Sequence, residues 1–397
     1  LNGNTLTSGA GNGLGLFYPL NGDTNSTKYL FAFRNNAIDV INVYGASNLE
    51  TPVWYNSWKS LNTGAGAANR HHSIIGQDGI MYWTDDKYIG SLKEVSGQSL
   101  FADTGNPTTS SGTTNYIYNN QALDVTQGEV LVHLEQQGIN LLAAGSTWNK
   151  IYPWDRISDS FGIPIDVPEN IVSRLQNIGG IIYILAGTKG NIYTTQGTYA
   201  KHFVKIPDYL VNNSGTLQSG IVTWGGIAQL NGSLLVGLSG QTSGNNGVYL
   251  IYPDGRIVQD NIPSTGSALV TAIYAENDFY KIGYSGGADY SSTSRLSAYE
   301  SVVHSALYKV GNKTQKATYS TLEVQVAKPA GTGHMRIKYR TDESTAFADF
   351  PGGAVVCTAD SVSTSFEFDI GLIDIENLQI QVEMDGLFEL IELRLFQ

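Results

Sequence analysis

Six short apolar runs recur along this chain at nearly even spacing: Tyr29 to Phe33, Ile80 to Trp83, Val130 to Leu134, Ile181 to Leu185, Leu234 to Leu238 and Phe279 to Gly283. Their starts lie 51, 50, 51, 53 and 45 residues apart. A unit of this length cannot bury its own apolar faces. A period near 50 therefore restricts the chain to an architecture in which neighbouring repeats stack. Most of the runs follow a turn signal, namely Gln77-Asp78-Gly79, Gln127-Gly128, Gly179-Gly180, Asn231-Gly232 or Asn277-Asp278. Gly, Asn and Asp supply the positive φ that tight hairpins need. Each turn implies a strand before it, with candidates at Leu14 to Leu20, His72 to Gly76, Gln121 to Val125, Ile171 to Ile178, Val222 to Leu230 and Leu269 to Ala275.

A third run follows each apolar one, at Ile38 to Val43, Tyr88 to Lys93, Ile139 to Ala144, Asn191 to Thr195, Val248 to Tyr252 and Arg295 to Tyr299. A fourth often follows, at Val53 to Lys59, Trp148 to Trp154, His202 to Ile206, Ile257 to Ile262 and Leu307 to Val310. Each repeat thus reads as a four-stranded antiparallel meander. Packing such sheets around an axis buries both faces and leaves short edges. The expected fold class is all-β, a six-bladed β-propeller of four-stranded antiparallel blades over residues 1–312. Two stretches, Pro168 to Leu175 and Ala298 to Leu307, carry apolar spacings that also suit a short helix. The short last step leaves room for an incomplete final blade closed by a strand from Leu1 to Gly13.

After Gly311 the pattern changes to strict alternation, with Leu322, Val324 and Val326 set against Glu323 and Gln325. It continues at Met335, Ile337 and Tyr339, at Phe366, Phe368 and Ile370, at Leu378, Ile380 and Val382, and at Ile391, Leu393 and Leu395. Half-buried strands alternate in this way. Residues 313–397 are therefore expected to form a separate small β-sandwich of jelly-roll type. They hold 13 acidic and 7 basic side chains, so they carry −6 of the chain's −12 charge. An acidic balance without a basic stretch argues against a nucleic-acid partner. No apolar run reaches the ~18–20 residues of a membrane-spanning helix, so no membrane partner is expected. The single cysteine, Cys357, cannot form an internal disulfide, and in Ala354-Val355-Val356-Cys357 it reads as a small core residue.

The junction Tyr308-Lys309-Val310-Gly311-Asn312-Lys313, then Leu322 to Pro329, then Met335 to Arg340, resembles structural proteins of tailed bacteriophages. In that family a β-propeller is followed by a small β-sandwich and the protein belongs to the virion, commonly the tail. The resemblance covers roughly 35 residues near the junction and carries no site residues across. It implies a multi-copy assembly made of this chain and other virion proteins, built in the host cytoplasm and exposed on the extracellular particle.

Motifs for chemistry are sparse. Arg70-His71-His72 is the densest histidine site, yet metal binding needs three or four convergent ligands and no second pair stands at a matching spacing. It reads as a strand entry in a surface loop. Asp85-Asp86 and Asp155 with Asp159 are candidate acid/base carboxylates, but a glycosidase needs two that face each other across ~5–9.5 Å. Turn and cap roles explain them as well, and Tyr252-Pro253-Asp254-Gly255-Arg256 is a Pro-Asp-Gly turn. The sialidase turn boxes are missing, and Gly76 to Trp83 is an Asp-Gly hairpin instead. The glycine-rich stretches Gly9 to Gly15, Gly64 to Gly66 and Ser239 to Gly247 lack the Lys-Ser/Thr of a phosphate cradle. No Gly-x-Ser-x-Gly elbow occurs on a strand-to-helix turn. Aromatics hold the most promise, since Trp54, Tyr55 and Trp58 sit among polar Asn56, Ser57 and Lys59 and could stack on a glycan or a partner.

Taken together, the sequence leads to the expectation of a non-enzymatic, tail-associated virion protein acting as a rigid β scaffold, without cofactor or metal. The alternatives are a receptor- or carbohydrate-binding module using exposed aromatics and, on fold analogy, a propeller glycosidase.

Overall fold

The computed structural model describes residues 13–17, 29–34, 36–42, 54–62, 71–94, 116–125, 128–196, 198–206, 221–239, 247–261, 269–276, 279–284, 287–291, 301–304, 308–309, 317–327, 333–341, 347–357, 365–385 and 389–396. Every regular element among the described residues is a β-strand. The chain divides into two compact units, Leu1–Gly187 with Asn191–Phe203, and Thr188–Gly190 with Val204–Gln397.

The first unit holds four meanders. Strands β1 (Gly13–Phe17), β2 (Tyr29–Phe33), β3 (Ala37–Asn42) and β4 (Tyr55–Ser60) form one sheet in chain order. A second is made by β5 (Ser73–Ile75), β6 (Met81–Asp85), β7 (Tyr88–Glu94) and β8 (Tyr116–Asp124). The third meander, β9 (Leu131–Gln137), β10 (Asn140–Gly145), β11 (Lys150–Trp154) and β12 (Ile165–Asp166), joins the fourth, β13 (Val172–Ile178), β14 (Ile181–Ala186), β15 (Asn191–Gln196) and β16 (Tyr199–Lys205). The joint is a parallel pairing of Asp166 with Tyr199, which makes one eight-stranded sheet.

The second sheet and the third meander are apolar on both faces because a core lies on each side. Phe17, Phe31, Phe33 and Trp58 pack with Met81 and Trp83 between the first two sheets. Tyr82 and Ile89 pack with Leu134, Leu141 and Trp154 between the second sheet and the third meander. Val132, Leu142 and Ile151 meet Leu175, Ile182 and Ile184 between the third and fourth. This is why Met81 to Asp85 is buried at every position: a strand covered on both sides has no solvent face to alternate with. First strands approach so closely that a Cβ on Gly13 would lie 1.7 Å from the His71 carbonyl oxygen.

Two sequence expectations are corrected in this unit. In the third repeat the phase slips by one strand: Val130 to Leu134 belongs to the first strand β9, Ile139 to Ala144 to the second and Trp148 to Trp154 to the third, while Gln121 to Asp124 ends β8 of the preceding sheet. Gly128 does have φ of 93°, but it serves a crossover between sheets, and the hairpin turns at Gly138, with φ of 55°. The helix-like spacing of Val172, Leu175 and Ile178 belongs to strand β13. A register shift between Val172 and Arg174 displaces the alternation and mimics a three-residue period.

The second unit begins with β17 (Thr223–Leu230), β18 (Ser233–Ser239), β19 (Gly247–Ile251) and β20 (Ile257–Asn261). Asn231 and Gly232, with φ of 48° and 79°, make the β17–β18 hairpin that their sequence predicts. Three strands follow, β21 (Val270–Glu276), β22 (Phe279–Tyr284) and β23 (Gly287–Ser291), forming a sheet of their own. Strand β21 lies against β17 at Gly225, where a Cβ would sit 1.9 Å from the Val270 carbonyl oxygen. The expected fourth strand near Leu307 to Val310 goes elsewhere. Strand β24 (Ser301–His304), on a stretch with helix-like spacing, pairs with β20 on one side, and β25 (Tyr308–Lys309) is not part of the β21-β22-β23 sheet. The third run at Arg295 to Tyr299 and the candidate closing segment before Gly13 lie outside the described residues.

The remaining strands are β26 (Ala317–Ala327), β27 (Gly333–Arg340), β28 (Ala348–Cys357), β29 (Ser365–Ile375), β30 (Asn377–Asp385) and β31 (Glu389–Phe396). They form two sheets, β29-β26-β31 and β30-β27-β28. Leu322 and Val324 of one meet Met335, Ile337, Leu378, Ile380 and Val382 of the other in a shared core. Each of these side chains contributes roughly 1.5–3 kcal/mol by burial. Strand β24 pairs with β30, as does β25, so the fifth meander runs through β20, β24 and β30 into the C-terminal sheet without a break.

Candidate functional site

The densest polar arrangement lies along the first strands of the second, third and fourth meanders, where His72, His133 and Arg174 occupy matching places. The Leu134 amide donates to His72 Nδ1 at 3.2 Å, and the Leu175 amide donates to His133 Nδ1 at 3.3 Å. Each imidazole therefore closes a bond to the next meander's first strand. The two rings stack with centroids 3.6 Å apart at 22°. An Nδ1 that accepts an amide proton fixes the neutral tautomer with hydrogen on Nε2. Burial, and after it the Arg174 charge, pushes the His72 pKa down to about 3. Beside the pair, His71 is buried, with its Nδ1 2.7 Å from the Thr84 carbonyl oxygen, and burial lowers its pKa as well. The expected surface-loop histidine pair thus belongs to a seam between successive meanders; Arg70 lies outside the described residues. His72 and His133, with Nδ1 accepting an amide proton and hydrogen on Nε2, have no lone pair left for a metal, and no cluster of three or more metal-ligating side chains occurs among the described residues.

Two glutamates, Glu129 buried and Glu169 half-buried, repeat a second device that the sequence reading missed. Glu129 Oε1 accepts from the Val130 and Thr147 amides at 2.9 and 2.8 Å, and Oε2 from the Trp148 amide at 3.2 Å and the Tyr152 hydroxyl at 3.0 Å. A Cβ on Gly145 would come within 2.5 Å of that carboxylate. In the next meander Glu169 accepts from Asn191 Nδ2 and, at 2.8 Å, from the Tyr193 hydroxyl, and Gly187 faces it as Gly145 faces Glu129. The signal in the sequence is a glutamate just before a first strand, with a glycine 16 or 18 residues later and a tyrosine 23 or 24 later.

The candidate acid/base carboxylates also hold backbone. Asp85 is buried, accepts from the Asn62 amide at 2.8 Å and its Nδ2 at 2.9 Å, and has its pKa raised to about 7 by burial against the pull of those bonds. Asp86 turns the β6–β7 hairpin with φ of 59°. Asp155 caps a turn, Oδ1 accepting from the Ile157 and Ser158 amides at 2.9 and 2.7 Å. Those bonds, that of Ser158 foremost, lower its pKa. Asp159 is exposed. Asp78 accepts from the Tyr82 hydroxyl at 2.8 Å and pairs with Arg156 at 3.4 Å. Asp254 accepts from the Arg256 amide across its turn.

Of the proposed aromatic contact residues, Trp54 is 8% and Trp58 6% exposed. Trp54 packs with Ala32 and Ile41, and Trp58 lies 5.6 Å from Phe31, 5.5 Å from Tyr116 and 5.9 Å from Tyr118 between ring centroids. Both indoles therefore fill space between strands, and neither presents an open stacking face while Lys59 lies over the Trp58 ring. Tyr55 pairs through its backbone with Val40, and its side chain lies outside the described set. Trp83, Trp154 and Trp224 are buried too, whereas Trp148, held by Glu129 in the β10–β11 connection, is 43% exposed. Cys357 ends β28 opposite Gly333, its side chain likewise outside the described set.

No protein-family model and no curated protein matches the chain. Solved structures similar to it include the computationally designed Ika8 protein, at 12% identity over 81% of each chain with a TM-score of 0.41. YCF48 bound to D1 peptide is similar at 11% identity, over 69% of this chain and 74% of that one, with a TM-score of 0.40. A protein of unknown function from Bacteroides caccae is similar at 12% identity, over 65% and 82%, with a TM-score of 0.40.

Proposed function

We propose that this chain is a non-enzymatic, tail-associated structural protein of a tailed-phage virion, a rigid β scaffold in a multi-copy assembly. In this reading the six successive meanders are blades of a propeller and the two C-terminal sheets are a small β-sandwich. The observation that carries it is the unbroken ladder β20-β24-β30, which ties the fifth meander to the C-terminal sheets by backbone hydrogen bonds where a hinge would need a free linker. The junction sequence from Tyr308 to Arg340 supports the virion setting. Buried His133, Glu129 and Asp85, with half-buried His72 and Glu169, support the scaffold role, because each holds backbone or a neighbouring strand in place. Assembly then works through contacts of ~1,200–2,000 Å² between copies and with other virion proteins.

The test is the mass of the purified chain by light scattering at two salt concentrations, with electron microscopy of the same sample and immunogold labelling of particles. Rings, tubes or labelled tails are the expected result. A monomer at every concentration, together with unlabelled particles, overturns the reading. One observation favours receptor or glycan contact as a second reading: the exposed Trp148 ring on an ordered connection. A glycan screen in which Trp148→Ala abolishes every hit would support it.

A further inference from the structure

Lys59 reaches back over the aromatic seam between the first two sheets. Its Nζ lies 5.5 Å from the Trp58 ring centroid, 5.5 Å from that of Tyr116 and 5.4 Å from that of Tyr118. Three ring faces thus converge on one ammonium at nearly equal distance, and among the described residues no carboxylate pairs with it. The rings are set from behind. Phe31 backs Trp58, Trp83 stacks on Tyr118 at 5.5 Å and 23°, and the Tyr118 hydroxyl donates to the Ser60 carbonyl oxygen at 2.8 Å. Tyr116 and Tyr118 alternate onto one side of β8. Such a group of fixed faces attracts a cation through the ring quadrupoles, and it suits an alkylated ammonium, whose water is cheap to remove.

We infer that Trp58, Tyr116 and Tyr118 form a binding site for a quaternary ammonium group of the choline type, with Lys59 as its tethered resident. The lysine competes from the same strand. A short tether gives an effective concentration of order mM, so an external ligand is weakened until the side chain swings out. Lys59 is only partly buried, so the ligand reaches the rings where the lysine side chain meets solvent.

The test titrates choline chloride into the intact chain against matched sodium chloride, following aromatic proton shifts by NMR and heat by calorimetry. Lys59→Ala and Lys59→Gln leave all three rings in place. Both are expected to bind choline at least about tenfold more tightly than the parent chain, with shifts confined to the three rings. The neutral isostere 3,3-dimethylbutanol is expected not to bind, and Tyr116→Leu in the Lys59→Ala background, checked for an intact thermal transition, is expected to lose the signal. In a separate arm, phosphatidylcholine vesicles distinguish a lipid headgroup from a free ligand. The inference is overturned if neither Lys59 variant responds to choline, or if choline and its neutral isostere bind alike.

Discussion

At the residue scale, the buried ionisable groups of the first unit act against each other in pH. Asp85 holds its proton up to about pH 7 in the folded chain, against about 3.9 for an unfolded aspartate. Between those values the folded state keeps a proton that the unfolded state has released, so this group's contribution is greatest at low pH and is lost as pH rises through 7. His72 behaves oppositely. Its folded value near 3 lies below an ordinary histidine's 6.5, so the unfolded chain takes up the proton first and stability falls as pH drops from 6.5 toward 3. Urea midpoints for Asp85→Asn and His72→Gln beside the parent chain at pH 5 and 8 separate the two. We expect the parent to lose stability relative to Asp85→Asn on going from pH 5 to 8, and to gain it relative to His72→Gln. At ~1.4 kcal/mol per pKa unit, each difference is on the order of one to a few kcal/mol. A difference flat in pH for either variant refutes that group's assignment.

Elements were legible in the sequence where a local signal determines them. Asn231-Gly232 announced its hairpin because positive φ at both positions selects the tight turn, and the alternation from Leu322 marked β26 because one side of that strand is wet and the other dry. What escaped were features that depend on partners. Gly128 and Gly138 both take positive φ, one at a crossover and one at a hairpin, and composition does not separate those uses. Trp58 read as an outer-strand aromatic with polar neighbours, yet rings of β8, contributed from about sixty residues away, cover it. The Glu129 clamp was hidden for the same reason, since its four donors come from three places in the chain. That clamp gives a sharp prediction at the end of β10. Gly145→Ala would push a methyl into the carboxylate and break its bonds to Thr147, Trp148 and Tyr152. The expected cost is about 2–4 kcal/mol, from overpacking plus orphaned amides. Adding Glu129→Asp, one methylene shorter, should recover part of it in a double-mutant cycle measured by denaturation. Strict additivity of the two losses would mean that the glycine and the glutamate do not touch.

At the scale of the whole molecule, a boundary drawn from sequence at residue 312 describes a change of pattern, while the backbone pairs reach across that position. Four residues, Ser301–His304, have strands on both sides: Val302 and Val303 lie opposite Gln259 and Val258 on one edge and Glu383 and Val382 on the other. A run this short has no periodicity to read, so its role as a bridge exists only in the fold. If the bridge makes the fifth meander and the C-terminal sheets one mechanical body, breaking it should uncouple them without unfolding either. Val303→Pro removes one amide and forces the strand out of the ladder, at roughly 3 kcal/mol or more. Hydrogen exchange should then rise in β20 and β30 together, while the cores around Leu235 and around Leu322 keep their protection. The calorimetric transition should broaden or split as cooperativity between the two parts is lost. Assembly depends on the same stiffness in the scaffold reading, so particles or rings formed by the parent chain should be fewer or irregular with the variant even though each part stays folded. If exchange changes only at the substituted strand and the transition stays single, the ladder is not what couples them, and the scaffold reading loses the observation on which it rests.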